Sequence, residues 1–528
     1  MIKSTAKSAP WLVIAAALAA IPLSSQNSQS PAPQSDDPPS RVARLNWLSG
    51  DVSFQPAGLE EWTGATVNYP LTTSDHLFTG KDSRAEMHVG PNAIRLDANT
   101  NFGFLNLDDS IVQVSVTEGS MEVHLLTLDD SDAFEIATPN GAITLLRTGD
   151  YRIDTDPEID ATMLTVRAGQ AELFSGSTSV LIRAQQTAYF KTDQSPNLQT
   201  ANPPDDFDAF VDAREGNVVA VDAALSAASN TPRGIDRFAD RVSVADLVAD
   251  GVTGAEDLNT YGTWQNNGPY GQEWVPPVDP SWAPYSDGDF AYVEPWGWTW
   301  IDAAPWGFAP FHYGRWAFTN NRWVWIPGPR NTVRVYAPAL VTFVGGGAAD
   351  SVSWFPLGPQ DVWTPPWRAF GDNSVSRASM NRTALGAVRT MSQNDFVAGA
   401  RVRPALGLAV QGQVLGSSPL VMPVRESVLL GTVRPRPAIA NRPLIARTAP
   451  PPAPISFAAK LGLLAQNQGR PLAPKQLADL RRQLPAAAMQ RAAVRYTVPL
   501  VNSPRPAKPA PRSDRPTKPG PSPSARPN

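Results

Sequence analysis

The sequence predicts an all-β protein: a β sandwich or roll, then a domain of aromatic antiparallel β-hairpin repeats, then a disordered Pro/Arg-rich C-terminal tail. Three observations carry that reading. Short segments with alternating apolar positions, broken by Gly, Asn or Asp, follow one another from Arg41 to Phe190 without helical runs between them, which is the spacing of an all-β fold. From Tyr261 an aromatic unit returns every 26 residues. From Gly371 onward Pro and Arg dominate and aromatic residues nearly vanish.

The N-terminus reads as an address. Lys3 and Lys7 precede the apolar run Trp11–Leu23, and small polar residues follow it. A positive stretch, a short apolar run and a small-residue exit define a signal peptide, here residues 1–25, with a polar Pro-rich spacer over 26–40. The run is shorter than the ~20 apolar residues that span a bilayer. The expectation is therefore a bacterial protein, periplasmic or secreted, with no stable membrane span after cleavage. The chain has no cysteine, which excludes disulfides, a thiolate nucleophile and a Cys metal site.

Charge is split along the chain. Residues 1–370 carry 21 Lys and Arg against 44 Asp and Glu, whereas residues 371–528 carry 23 against 5. An acidic body with a basic tail predicts that the tail meets something anionic.

In the first domain, 41–195, "IVQVSVTEGSMEVHLL" sets Val112, Val114 and Val116 on one face, then Met121, Val123 and Leu125 after a Glu-Gly turn. "FEIATPNGAITLL", "DYRIDTD", "MLTVRAGQAELF" and "SVLIRAQQTAYF" repeat the alternation. Leu71, Asp75 and Leu77 before Thr79-Gly80, then Ser83–Glu86 and Ile94–Leu96, complete a pattern that resembles the FecR domain, a periplasmic β-module named for an iron-dicitrate regulator. The resemblance implies a FecR-like β sandwich or roll. That regulator has a cytoplasmic anti-sigma segment before a transmembrane helix, whereas ten residues precede the apolar run here, so sigma-factor signalling is not carried over and stays as an alternative. Residues 196–260 are acidic, a partly helical linker in which Phe207, Phe210 and Val211 have helical spacing after Asp residues suited to a cap.

In the third region, 261–370, Gly262, Gly288 and Gly314 are 26 apart, as are Trp264, Phe290 and Trp316. Each aromatic is followed by Trp274, Trp300 or Trp325, and the link Ala283-Pro284-Tyr285 returns as Ala309-Pro310-Phe311. A fixed period marks supersecondary units that cannot bury themselves singly, and the Asn-Asn between "RWAFT" and "RWVWI" is a hairpin signal. Trp296, Trp298 and Trp300 alternate and so share a strand face. As core, each indole removes ~150–250 Å² from water, or ~4–6 kcal/mol before entropy. The alternative use is a row of rings stacking on sugar or Pro-rich peptide, with Trp282, Trp296, Trp298, Trp300, Trp306 and Trp363 as the candidates. The repeated Tyr-Gly-x-Trp, "WVWIPGPR", "YAPALVTFVGG" and "SWFPLGP" resemble a Trp-rich domain of unknown function found behind FecR modules in proteobacterial exported proteins. The resemblance implies architecture rather than chemistry.

Little else points to catalysis. His76, His88, His124 and His312 are scattered singly, without His-x-His or His-Glu-x-x-His spacing. Glu294 and Asp302 flank the Trp row in the manner of a glycosidase pair, but eight carboxylates are spread over residues 261–367, so two beside aromatics are expected by chance. No nucleophile elbow or phosphate loop is present. The expectation is a non-enzyme with no metal and no cofactor. In the tail, 371–528, composition predicts an extended chain with two short helices, Ile455–Gln466 and Lys475–Arg491, the second broken by Pro485. An envelope polymer or a protein is the expected partner; the export signal argues against nucleic acid. The function so read is an interaction scaffold, with a carbohydrate-binding module or a FecR-type signalling component as alternatives.

Overall fold

The computed structural model describes residues 37–176, 178–215, 251–330, 335–345, 350–367, 379–384, 386–402, 413–416 and 431–485, with positions 248, 419, 421–423 and 494–496. The expected signal peptide and the chain from 497 lie outside the described residues. Among the described residues no helix is long and apolar enough to cross a membrane.

Seventeen strands between Ala43 and Thr200 make one sheet that folds over on itself. The strand Ile111–Leu125 ties the two layers. Its first half pairs with Asn101–Leu107 and, in parallel, with Ala133–Ala137. Its second half pairs with Asn92–Leu96 and Gly149–Asp156. The Glu-Gly pair expected to turn the chain back instead carries it from one layer into the other. Gly119 has φ 89°, and a Cβ there would stand 2.4 Å from Thr100 Oγ1, so only glycine supplies both the conformation and the space. Between the layers Met87, Ile94, Val114, Val123, Ile153 and Leu164 are fully buried.

The same alternation puts Glu86, His88, Arg95, Glu122, His124 and Arg152 on the other face of the second layer. Such a face normally meets water. Here it is covered by the helix 206–215 and by the segment around Thr253–Asp257. The helix begins as expected: Asp205 Oδ1 accepts from the backbone N–H groups of Phe207 and Asp208 at 2.9 and 3.1 Å. Phe207 and Val211 are buried, and Arg84 and Arg214 lie over Phe210 and Trp47.

Each aromatic repeat is a hairpin: Thr263–Gly268 with Gly271–Val275, Gly288–Val293 with Gly297–Asp302, and Arg315–Thr319 with Arg322–Ile326. The 26-residue period has a direct cause. Trp264 pairs across with Trp274, Phe290 with Trp300, and Trp316 with Trp325, so every unit repeats one cross-strand aromatic pair. The third hairpin turns on Asn320 and Asn321, with φ 50° and 59°, the two positive values a type I′ turn requires. The first and third hairpins join through Trp274 and Trp325 into a four-stranded sheet, while the second is a separate ribbon. The repeats do not stack in sequence order. Their repeated links meet instead: the Tyr285 and Phe311 rings are 4.9 Å apart, and the Tyr285 hydroxyl donates to Phe311 O at 2.8 Å.

The boundary expected at 371 does not mark the end of packed chain. Arg389–Ser392 and Gln413–Gly416 flank the hairpin of Val341–Gly345 and Ser351–Pro356. Phe396 lies 4.9 Å from Phe290 and 4.6 Å from Trp298. Both expected helices are present, over Phe457–Gln466 and Pro474–Gln483. The first buries Phe457 and Leu464 in the aromatic core, and Leu444–Ala446 packs on the first domain through an Ile445–Thr138 bridge. Composition weighs the many Pro and Arg residues. It does not register that the few apolar ones fill gaps between indoles.

Candidate functional site

The six candidate stacking residues separate into two groups. Trp296 and Trp300 are fully buried, and Trp298 and Trp306 are each 4% exposed. Their rings contact other rings: Trp296 meets Tyr336 at 4.7 Å, Trp298 meets Tyr292 at 5.7 Å, Trp300 meets Phe290 at 5.1 Å and Trp306 meets Trp274 at 5.1 Å. These four are core, which corrects their assignment as ligand-stacking residues. The reason is that an exposed row of indoles is far more costly than one buried against other aromatics. Trp296 also departs from the shared face, since the strand begins at Gly297 and Trp296 belongs to the preceding turn. Trp282 and Trp363 are half-buried. Trp282 leans on Trp306 and Trp316, and Trp363 on Trp367 at 5.7 Å.

Three buried indole N–H groups find partners at the hairpin ends, whereas those of Trp296, Trp316 and Trp323 are buried without one. Trp274 donates to Leu258 O at 2.8 Å, Trp325 to Tyr313 O at 2.9 Å and Trp300 to Asp302 Oδ2 at 2.9 Å. Glu294 and Asp302 are therefore engaged in structure. Glu294 pairs with Lys460 of the helix Phe457–Gln466, and burial pushes the Asp302 carboxyl up to about 8.

The densest chemistry lies on the covered face of the first domain. Arg95 Nε donates to Glu86 at 2.8 Å, and its Nη1 reaches Glu122 at 3.1 Å and Glu215 at 2.9 Å. Arg214 from the helix closes on Glu86 at 2.7 and 3.0 Å. His88 sits between Glu256 and Glu86, the latter 3.3 Å away. Burial opposes its charge, yet Glu256 and Glu86 together raise the imidazole to about 9. Glu122 goes the other way for a carboxylate, pushed up to about 8 by burial that Arg95 only partly offsets. His124 Nδ1 meets Asp150 at 2.5 Å and Glu215 at 3.0 Å, and its bond to Asp150 lifts it above its ordinary value. By contrast His312 is sealed in the aromatic core, where burial lowers it to about 3 and Nδ1 bonds Ala337 O at 2.8 Å.

Two further links fasten the domains together. Arg44, almost fully buried, pairs with Asp257 and donates to Pro305 O at 2.5 Å. Asn68 Nδ2 donates to Asp302 O at 2.8 Å and Ala304 O at 2.7 Å.

Sequence reasoning missed this ionic layer, because its members come from strands, a helix and a loop far apart in the chain. The local signals are two Glu-x-His pairs, Glu86 with His88 and Glu122 with His124, each two residues apart and hence on one strand face.

Among solved structures, two of a candidate anti-sigma factor from Parabacteroides distasonis ATCC 8503 are 15% and 14% identical to this chain, with TM-scores of 0.22. The match covers 24% of this chain and 60% of that protein, so the chain spans less than two thirds of its length. No curated protein matches. Residues 255–361, the hairpin repeats with their flanks, match a family of unknown function (DUF6600).

Proposed function

We propose that this protein is an exported, non-enzymatic interaction scaffold of a bacterial envelope, placed in the periplasm or outside the cell. One observation carries the reading: four of the six candidate indoles, Trp296, Trp298, Trp300 and Trp306, and the flanking carboxylates Glu294 and Asp302 are spent on packing and internal pairing. The apolar run after Lys3 and Lys7 supports export. The pattern through Leu71–Leu96 supports a FecR-type module for the first domain.

The segment that reaches a partner is the end of the chain. Residues 497–528 hold six Lys and Arg, one Asp and ten Pro, a composition that attracts anionic polymers by charge. Deleting 497–528 alone spares every described residue. Co-sedimentation with anionic cell-wall polymer across a salt series tests the reading. The full chain should bind and release with salt, and the truncated chain should not bind. Equal binding by both removes the segment from the function.

A further inference from the structure

We propose that Glu122, His124, Asp150 and Glu215 form a binding site for a divalent first-row transition cation. The four side chains arrive from three elements: Glu122 and His124 from Ile111–Leu125, Asp150 from Gly149–Asp156, and Glu215 from the helix 206–215. Each offers one ligand atom, and these atoms lie within 4.8 Å of one another.

An independent observation points to a missing partner. Glu122 is 6% exposed at its side chain, and its Oε1 makes no hydrogen bond; the contact with Arg95 uses Oε2. A buried carboxylate oxygen without a partner is costly, and a cation supplies that partner. There is also a way in. A cavity of about 170 Å³ is lined by Glu122, Asp150 and Glu215, together with Arg152, Arg167 and Asp212, which satisfies the need for an entry path.

The donor set selects the ion. One imidazole nitrogen and three carboxylates suit Zn²⁺ or Mn²⁺, whereas Ca²⁺ and Mg²⁺ prefer oxygen alone. Accommodation requires a small expansion. The 2.5 Å contact between His124 Nδ1 and Asp150 opens to ~3.3 Å, the edge of a tetrahedron with ~2 Å metal bonds. Bound there, the ion fastens the helix to the sheet beneath it.

Calorimetric titration of the full chain with Zn²⁺ and Mn²⁺, with Mg²⁺ and Ca²⁺ in parallel, tests the site. One transition ion should bind per chain, and H124A and D150N should each weaken it about tenfold or more. The Co²⁺ complex should show ligand-field absorption that H124A abolishes. Both substitutions alter partly exposed side chains, 23% and 36%, and E215Q on the helix serves if either variant fails to fold. The proposal is overturned if the native chain takes up no transition ion one to one. It is equally overturned if folded variants bind as the native chain does, or if Ca²⁺ or Mg²⁺ binds as tightly as Zn²⁺.

Discussion

A buried ionisable side chain must find a partner or change its proton, and two histidines here take opposite courses. His312, among aromatic rings, is held neutral, whereas His88, between Glu256 and Glu86, is held charged. The sign for stability follows. The His88 contribution is complete below its ordinary value near 6.5 and is lost as pH rises through about 9. Asp302, protonated in the folded protein up to about 8, acts in the same direction over a lower window. Urea titrations between pH 6.5 and 9 should show stability falling, by an amount on the order of 3 kcal/mol from His88. H88Q should flatten that slope; an unchanged slope would show that His88 does not cause it. Trp300→Ala removes a ring in contact with Phe290 and Tyr285 and should cost ~3–5 kcal/mol by the cavity rule, read from the shift in urea midpoint at constant m-value. At this scale the sequence announced the indoles plainly. It did not announce which rings each would touch, because those contacts join distant parts of the chain.

Hairpins and strands were the most legible objects. Alternation marked the strands of the first domain, and the 26-residue period marked each aromatic hairpin, because both are written in local spacing. What spacing leaves open is whether a strand stops or bends. Glu118-Gly119 has the look of a turn, yet the strand runs on through it into the second layer. Order of assembly was also hidden: the first hairpin pairs with the third, a choice made by tertiary fit. The turn of the third hairpin offers a clean test of local chemistry. Replacing Asn320 and Asn321 singly with Ala should destabilise by ~1–2 kcal/mol each, the cost of a left-handed backbone in a residue lacking a short polar side chain. Substitution with Gly at the same positions should be tolerated, and equal losses for Ala and Gly would assign the effect to lost side-chain contacts.

Across the whole molecule, composition misplaced the line between body and tail. A chain rich in Pro and Arg reads as unable to build a core, but Phe396, Phe457 and Leu464 need only complete one already there. The charged layer of the first domain was misjudged for a related reason: a polar sheet face reads as solvated until a distant helix covers it. Two truncations separate the parts of the tail. Removing 497–528 should leave the thermal midpoint unchanged. Stopping the chain at Pro454 removes Lys460 and Phe457, strands the Glu294 carboxylate and opens the aromatic core; it should lower the midpoint and increase binding of a hydrophobic dye. A midpoint as high as that of the full chain would show that the helix Phe457–Gln466 is dispensable.

That helix also sets a timetable. In a polypeptide synthesised from its N-terminus, the indoles emerge well before the segment that seals them. Until Leu464 clears the exit, the Trp-rich hairpins wait half-closed and sticky. Such a protein would call on chaperones during the interval, and slower delivery of its last third would favour aggregation over maturation.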